Sequence, residues 1–105
     1  MTENFKEAIL KACASAASIN EILQANEKSN IGDLAEEILH LLTEIAKDNN
    51  EPSLEKAHYV DTKVLILSNL ITIMKAKNPL VSDLLVADIN NLGLEMKELI
   101  LLTGK

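Results

Sequence analysis

Hydrophobic residues recur along this chain at alternating spacings of three and four, in four segments that short polar stretches separate. Such spacing places the apolar side chains of a segment on one face of an α-helix, so the pattern predicts four amphipathic helices. The predicted buried seams of the first two segments are Phe5, Ile9, Ala12, Ala16, Ile19 and Leu23, and Ile31, Leu34, Ile38, Leu41 and Ile45. Those of the last two segments are Ala57, Val60, Val64, Leu67, Ile71 and Met74, and Leu85, Ile89, Leu92, Met96 and Leu99.

The polar stretches at 27–30, 48–53 and 77–79 supply residues that cap helices. Ser53 or Asn50 is suited to cap the third helix. Asn78 followed by Pro79 predicts the start of the fourth, because proline is tolerated in the first helical turn. Short connections make consecutive helices antiparallel. The sequence therefore predicts an all-α, antiparallel up-down four-helix bundle that forms a single domain over residues 1–105.

Two local features modify this bundle. Residues 12–18 of the first helix are all small, which either lets another helix approach closely or leaves the first helix thin at its middle. Asn90, Asn91 and Gly93 lie inside the fourth segment, where each costs up to about 1 kcal/mol relative to alanine. We therefore expect the fourth helix to kink or break near Gly93.

The third and fourth segments carry more apolar surface than one face of a helix needs. Between Lys63 and Lys75 the chain has eleven residues without a charge. The second stripe of these helices comprises Ile66, Leu70, Ile73, Leu80, Leu84 and Leu94. Either this stripe is an interface with a second copy or another protein, or the third helix packs centrally inside a wider core.

Composition narrows the possible functions. The net charge is −6, all ten basic residues are lysine, and Phe5 and Tyr59 are the only aromatic residues. A chain without arginine or a basic stripe is a poor candidate for nucleic-acid binding. The single Cys13 allows no internal disulfide, and no segment approaches the ~20 apolar residues that cross a bilayer. We expect a cytoplasmic protein that binds neither nucleic acid nor membrane.

The best candidates for chemistry are two Glu-x-x-His pairs, Glu37 with His40 and Glu55 with His58. Di-iron bundles present carboxylate and imidazole ligands at this spacing. Here the pairs lie on consecutive helices and away from the predicted seams, which favours solvent-facing side chains. A di-iron or zinc bundle using these four residues is the alternative interpretation; the preferred one has no cofactor.

No other catalytic pattern is present. The serines lack a glycine-flanked elbow, and Gly32, Gly93 and Gly104 are too far apart to form a phosphate-binding loop. The sequence therefore predicts a non-enzymatic protein–protein interaction module, of the adaptor, regulator, immunity or inhibitor type. We expect it to dock through the apolar faces of the third and fourth helices, as a homodimer or with a partner protein.

Overall fold

The computed structural model describes residues 2–25, 30–48, 50 and 52–103. They form four helices: α1 (Glu3–Ala25), α2 (Asn30–Lys47), α3 (Leu54–Lys77) and α4 (Asp83–Thr103). The helices form a ring in which α1 and α3 each pack against α2 and α4; within the described ranges the backbones of the diagonal pairs do not approach each other closely. This confirms the predicted four-helix bundle, which measures 41 × 20 × 19 Å.

The core forms along the predicted seams in three of the four helices. Every predicted seam residue of α1 and α4 is at most 5% exposed. The same holds for α3, except that Met74 at its C-terminal end is half-buried. In these helices the set of apolar residues with unbroken spacing of three and four identified the inward face, although α3 and α4 carry further apolar residues outside it.

Helix α2 is rotated relative to the prediction. Ile31, Leu34 and Leu41 are half-buried, whereas Ala35 and Leu42 are 2% and 0% exposed. The reason is that α2 packs more extensively on α1 than on α3. Its inward face is therefore turned toward α1, where the Gln24 side-chain amide also donates a hydrogen bond to the Gly32 carbonyl (3.2 Å).

The small residues of α1 lie at the most extensive helix contact of the bundle, that with α4. Ala12 and Ala16 are buried, as close packing of this segment requires. Beside them the Ser18 hydroxyl donates a hydrogen bond to the Asp88 carboxylate of α4 (2.5 Å). The arrangement agrees with the expectation that this thin stretch admits a neighbouring helix.

The start of α3 was predicted correctly, because the Lys56 backbone N–H donates to Ser53 Oγ (3.1 Å), as in an N-cap. The start of α4 was not. Asn78 ends α3 by donating its backbone N–H to the Met74 carbonyl (2.9 Å), and α4 begins only at Asp83.

The Lys75 side chain explains this difference. Its ammonium donates to the Pro79 carbonyl (3.0 Å) and to the Val81 carbonyl, and it pairs with Asp83 (3.0 Å). These contacts hold residues 79–82 in a turn. The N-cap role passes to Ser82, whose hydroxyl accepts the Leu84 backbone N–H (3.2 Å).

Helix α4 runs unbroken through Gly93, so the predicted break is wrong, while the kink stays a prediction. The asparagines and the glycine do not interrupt it, because Leu85, Ile89, Leu92, Met96 and Leu99 anchor both halves in one core. A Cβ added at Gly93 would have no neighbouring atom within 4 Å.

Gly93→Ala is therefore expected to raise the free energy of unfolding by about 1 kcal/mol, since alanine has the higher helix propensity and no clash opposes it. Urea denaturation of the two proteins measures this difference. A destabilised variant would show that another group occupies the space beside Gly93.

Candidate functional site

An apolar stripe lies on the outer surface of α3, and we call it the α3 stripe. Tyr59, Ile66 and Ile73 are 53%, 47% and 53% exposed, and Leu70 beside them is half-buried. Residues seven apart return to the same face of a helix after two turns, so the first three line up along α3. The alternative prediction, that α3 packs centrally in a wider core, is wrong. Within the described residues α3 packs only against α2 and α4, and this stripe is exposed.

A second set of exposed leucines lies on α4 and on the turn before it. Leu84 and Leu94 are 57% and 65% exposed, and Leu80 on the turn is 92% exposed. Leu101, seven residues after Leu94, is 69% exposed and extends the outer face of α4. Five of the six predicted interface residues are thus exposed, and the sixth, Leu70, is half-buried.

The sequence interpretation missed Tyr59 as part of the exposed surface. Its ring lies 5.0 Å from Lys63 Nζ, and Lys63 in turn pairs with Glu37 of α2 at 3.0 Å. Hydrogen bonding to the Glu37 carboxylate is the main reason that the pKa of Lys63 is raised. This chain of contacts fixes the ring at the edge of the α3 stripe. The sequence could have indicated the place of Tyr59, because the spacing of Tyr59, Lys63 and Ile66 puts them on one side of a helix.

The four candidate metal ligands do not come together. Glu37 pairs with Lys63, and His40 Nε2 lies 3.2 Å from Glu44 Oε1 on the exposed face of α2. Glu55 and His58 are exposed near the start of α3. Among the residues that the structure describes, no three His, Cys, Asp or Glu side chains are placed to hold a metal ion. The Glu-x-x-His spacing is present on α2 and α3, but both pairs face outward. The described residues therefore offer no site for the di-iron or zinc centre of the alternative interpretation.

A polar group between α1 and α4 is the clearest electrostatic irregularity of the bundle. One carboxylate oxygen of Glu95, Oε1, is buried without a hydrogen-bond partner. Burial raises the pKa of Glu95; the Ser15 hydroxyl and Lys11 oppose this, and the nearby carboxylates of Glu98 and Asp88 add to it. The charged form of Glu95 is therefore disfavoured in the folded protein.

The raised pKa of Glu95 makes the stability of the bundle depend on pH. A carboxyl group whose pKa is raised on folding binds its proton more tightly in the folded state, so stability falls as pH rises from the ordinary value of 4.5 through the folded pKa. We expect Glu95→Gln to be more stable than the natural protein at pH 7. This advantage should shrink below about pH 4.5, where Glu95 is neutral in both states. Thermal unfolding of both proteins between pH 4 and pH 8 tests this, and a constant difference would contradict it.

None of the helices, over the stretches that the structure describes, is long and apolar enough to cross a membrane. Comparison with protein-family models, with curated proteins and with solved structures gives no significant match. The function is therefore argued from the residues of this chain alone.

Proposed function

We propose that this protein is a non-enzymatic interaction module that docks another polypeptide through the apolar outer faces of α3 and α4. The observation that carries the proposal is the exposure of large aliphatic side chains on these faces, led by Ile66, Ile73 and Leu94. A concentration of exposed apolar side chains on one face of a domain typically marks a protein–protein contact.

The arrangement around the α3 stripe supports docking. Interfaces commonly have an apolar centre with a polar rim, and tyrosine is enriched among their anchors. Here Ile66 occupies the middle of the stripe, Tyr59 lies toward one end, and the pair of Lys63 with Glu37 borders it on the side of α2.

Burial of the exposed apolar side chains would contribute favourable free energy to such a contact. Full burial of an isoleucine or leucine contributes about 1.5–3 kcal/mol, so covering a half-exposed one contributes roughly 1 kcal/mol. The α3 stripe offers Ile66, Ile73 and Tyr59 for such burial, and α4 adds Leu94 and Leu101. Covering several of these side chains offsets a substantial part of the entropy lost on association.

Site-specific photo-crosslinking in cells tests this proposal, because it captures a partner whose identity is not yet established. A benzophenone amino acid is placed at position 66 or 94, and at position 10 as the matched control. Leu10 is 63% exposed but lies on α1, outside the proposed surface. A defined adduct at position 66 or 94, identified by mass spectrometry and weak or missing at position 10, is the expected result. Equal labelling at all three positions, or no adduct, would contradict the proposal.

A further inference from the structure

Resting on the proposed function, we propose that the α3 stripe is covered by the α3 stripe of a second copy of this chain. The two α3 helices pack antiparallel, and a two-fold axis passes beside Ile66. The α4 face plays no part in this contact. Three features support this arrangement: the symmetry of the apolar positions, the placement of two charges and the exposed turn after α3. The length of the helix sets the strength that we expect.

The apolar positions of the stripe are symmetric about Ile66. Tyr59 lies seven residues before it and Ile73 seven residues after it, and all three are about half exposed. In an antiparallel pair that crosses at Ile66, this residue meets its own copy. Tyr59 then meets Ile73 of the partner subunit at each end. The surface is thus self-complementary, as an interface with two-fold symmetry requires.

Two charged residues are symmetric about the same point. Glu55 lies eleven residues before Ile66 and Lys77 eleven after it, which is close to three helical turns in each direction. Both side chains are exposed, and neither takes part in an ion pair within the described part of the chain. Antiparallel packing opposes Glu55 to Lys77 of the partner subunit at both ends. Parallel packing would oppose like charges, so charge complementarity selects the antiparallel arrangement.

The same arrangement accounts for Leu80. This side chain is 92% exposed on the turn after α3, where its backbone N–H donates to Asn78 Oδ1 (3.1 Å). Antiparallel packing brings the turn to the beginning of the second α3 helix, where Pro52 is half-buried and Leu54 is 44% exposed. Leu80 lies fourteen residues after Ile66 in the sequence and Pro52 fourteen before it.

The size of the contact sets the strength we expect. Helix α3 has 24 residues and is therefore about 36 Å long. One helix against another buries less than the ~800 Å² per partner of a standard stable interface. We expect a dimer with a dissociation constant in the micromolar range, in equilibrium with the monomer.

Charge reversal at the two ends tests the pairing. Sedimentation equilibrium is carried out on the full chain with Glu55→Lys, with Lys77→Glu and with both substitutions together. Each single change opposes like charges at both ends of the dimer, and we expect about tenfold weaker association. The double variant restores opposite charges and should associate like the natural protein. Lys6→Glu, an exposed charge reversal on α1 outside the proposed surface, is the control for the change in net charge.

Each outcome decides the proposal. Loss in both single variants with recovery in the double supports antiparallel pairing. Equal association of all four proteins overturns it, and a monomer throughout the micromolar range overturns the second copy as the occupant. Neither negative result removes the proposed docking function, because crosslinking at position 66 would still detect a different polypeptide. Circular dichroism confirms that the variants, all altered at exposed positions, are folded.

Discussion

Ile66→Glu is expected to weaken self-association at least a hundredfold while leaving the bundle folded. Ile66 lies at the proposed two-fold axis, so one substitution removes two apolar side chains from the centre of the contact and places two carboxylates beside each other. Central residues of an interface typically carry most of its binding energy, and unpaired charges there are costly. The folded monomer should lose little stability because Ile66 is 47% exposed within it.

Sedimentation equilibrium of the variant measures this effect, with Leu10→Glu as the matched control. Both substitutions exchange an exposed aliphatic residue for glutamate, on α3 and on α1 respectively. Leu10→Glu should associate like the natural protein. If both variants associate equally well, the α3 stripe is not the contact.

Leu42→Ala should lower the free energy of unfolding by about 3 kcal/mol, since a leucine fully enclosed in a core typically costs 2–5 kcal/mol when truncated to alanine. Leu42 is 0% exposed and lies on the face of α2 that is turned toward the core. Its neighbour Leu41 is half-buried, so Leu41→Ala should cost clearly less. Urea denaturation of the two variants gives both values.

This pair of substitutions tests the rotation of α2 directly. If Leu41→Ala proved the more damaging, the inward face of α2 would be the one that the sequence pattern favoured. The total stability of a small domain is typically 5–15 kcal/mol, so a difference of about 2 kcal/mol is readily measured.

The comparison of the two leucines also shows why periodicity located some core residues and missed others. In α1 and α4 one set of apolar residues keeps the alternating spacing of three and four from end to end, so their buried faces could be predicted residue by residue. In α2, apolar residues lie on both sides of Ile38 around the helix axis: Leu41 on one side, and Leu39 and Leu42 on the other. The choice between two nearly equivalent faces depends on how extensively α2 packs on α1 and on α3, which the sequence of α2 alone does not contain.

The ends of the helices show the same limit: the sequence predicts those that depend on local contacts and misses those that depend on how two helices meet. Ser53 was identified correctly because its capping bond to Lys56 is local. Asn78 and Pro79 form a good start signal, yet Asn78 ends α3 and Pro79 lies in the turn that follows. The deciding contacts come from Lys75 to Pro79, Val81 and Asp83, and they depend on how α3 and α4 meet.

For the candidate site, the sequence located the apolar residues but not their environment. The excess of apolar positions in the third and fourth segments predicted either an interface or a wider core. Only the arrangement of four helices in a ring leaves Ile66 and Ile73 on the outside. In the same way, Glu-x-x-His spacing is easily recognised, but the face of each helix decides whether two pairs can meet. Here Glu37 instead supports the polar rim of the α3 stripe through Lys63.

The run from Val64 to Met74 therefore serves two surfaces. Val64, Leu67 and Ile71 fill the core, and Ile66 and Ile73 face outward. A helix that is apolar on both sides needs a cover on its outer side. We propose that this cover is the same helix in a second copy.

Oxidative crosslinking at position 66 tests this central claim most directly. The test variant combines Cys13→Ala with Ile66→Cys, so that its only thiol lies at the proposed two-fold axis, and the control variant combines Cys13→Ala with Leu10→Cys. The account predicts that mild oxidation converts the Ile66→Cys variant rapidly to a covalent dimer of twice 11.5 kDa, while the Leu10→Cys variant remains mostly monomeric. Equal and slow crosslinking of the two variants would contradict it.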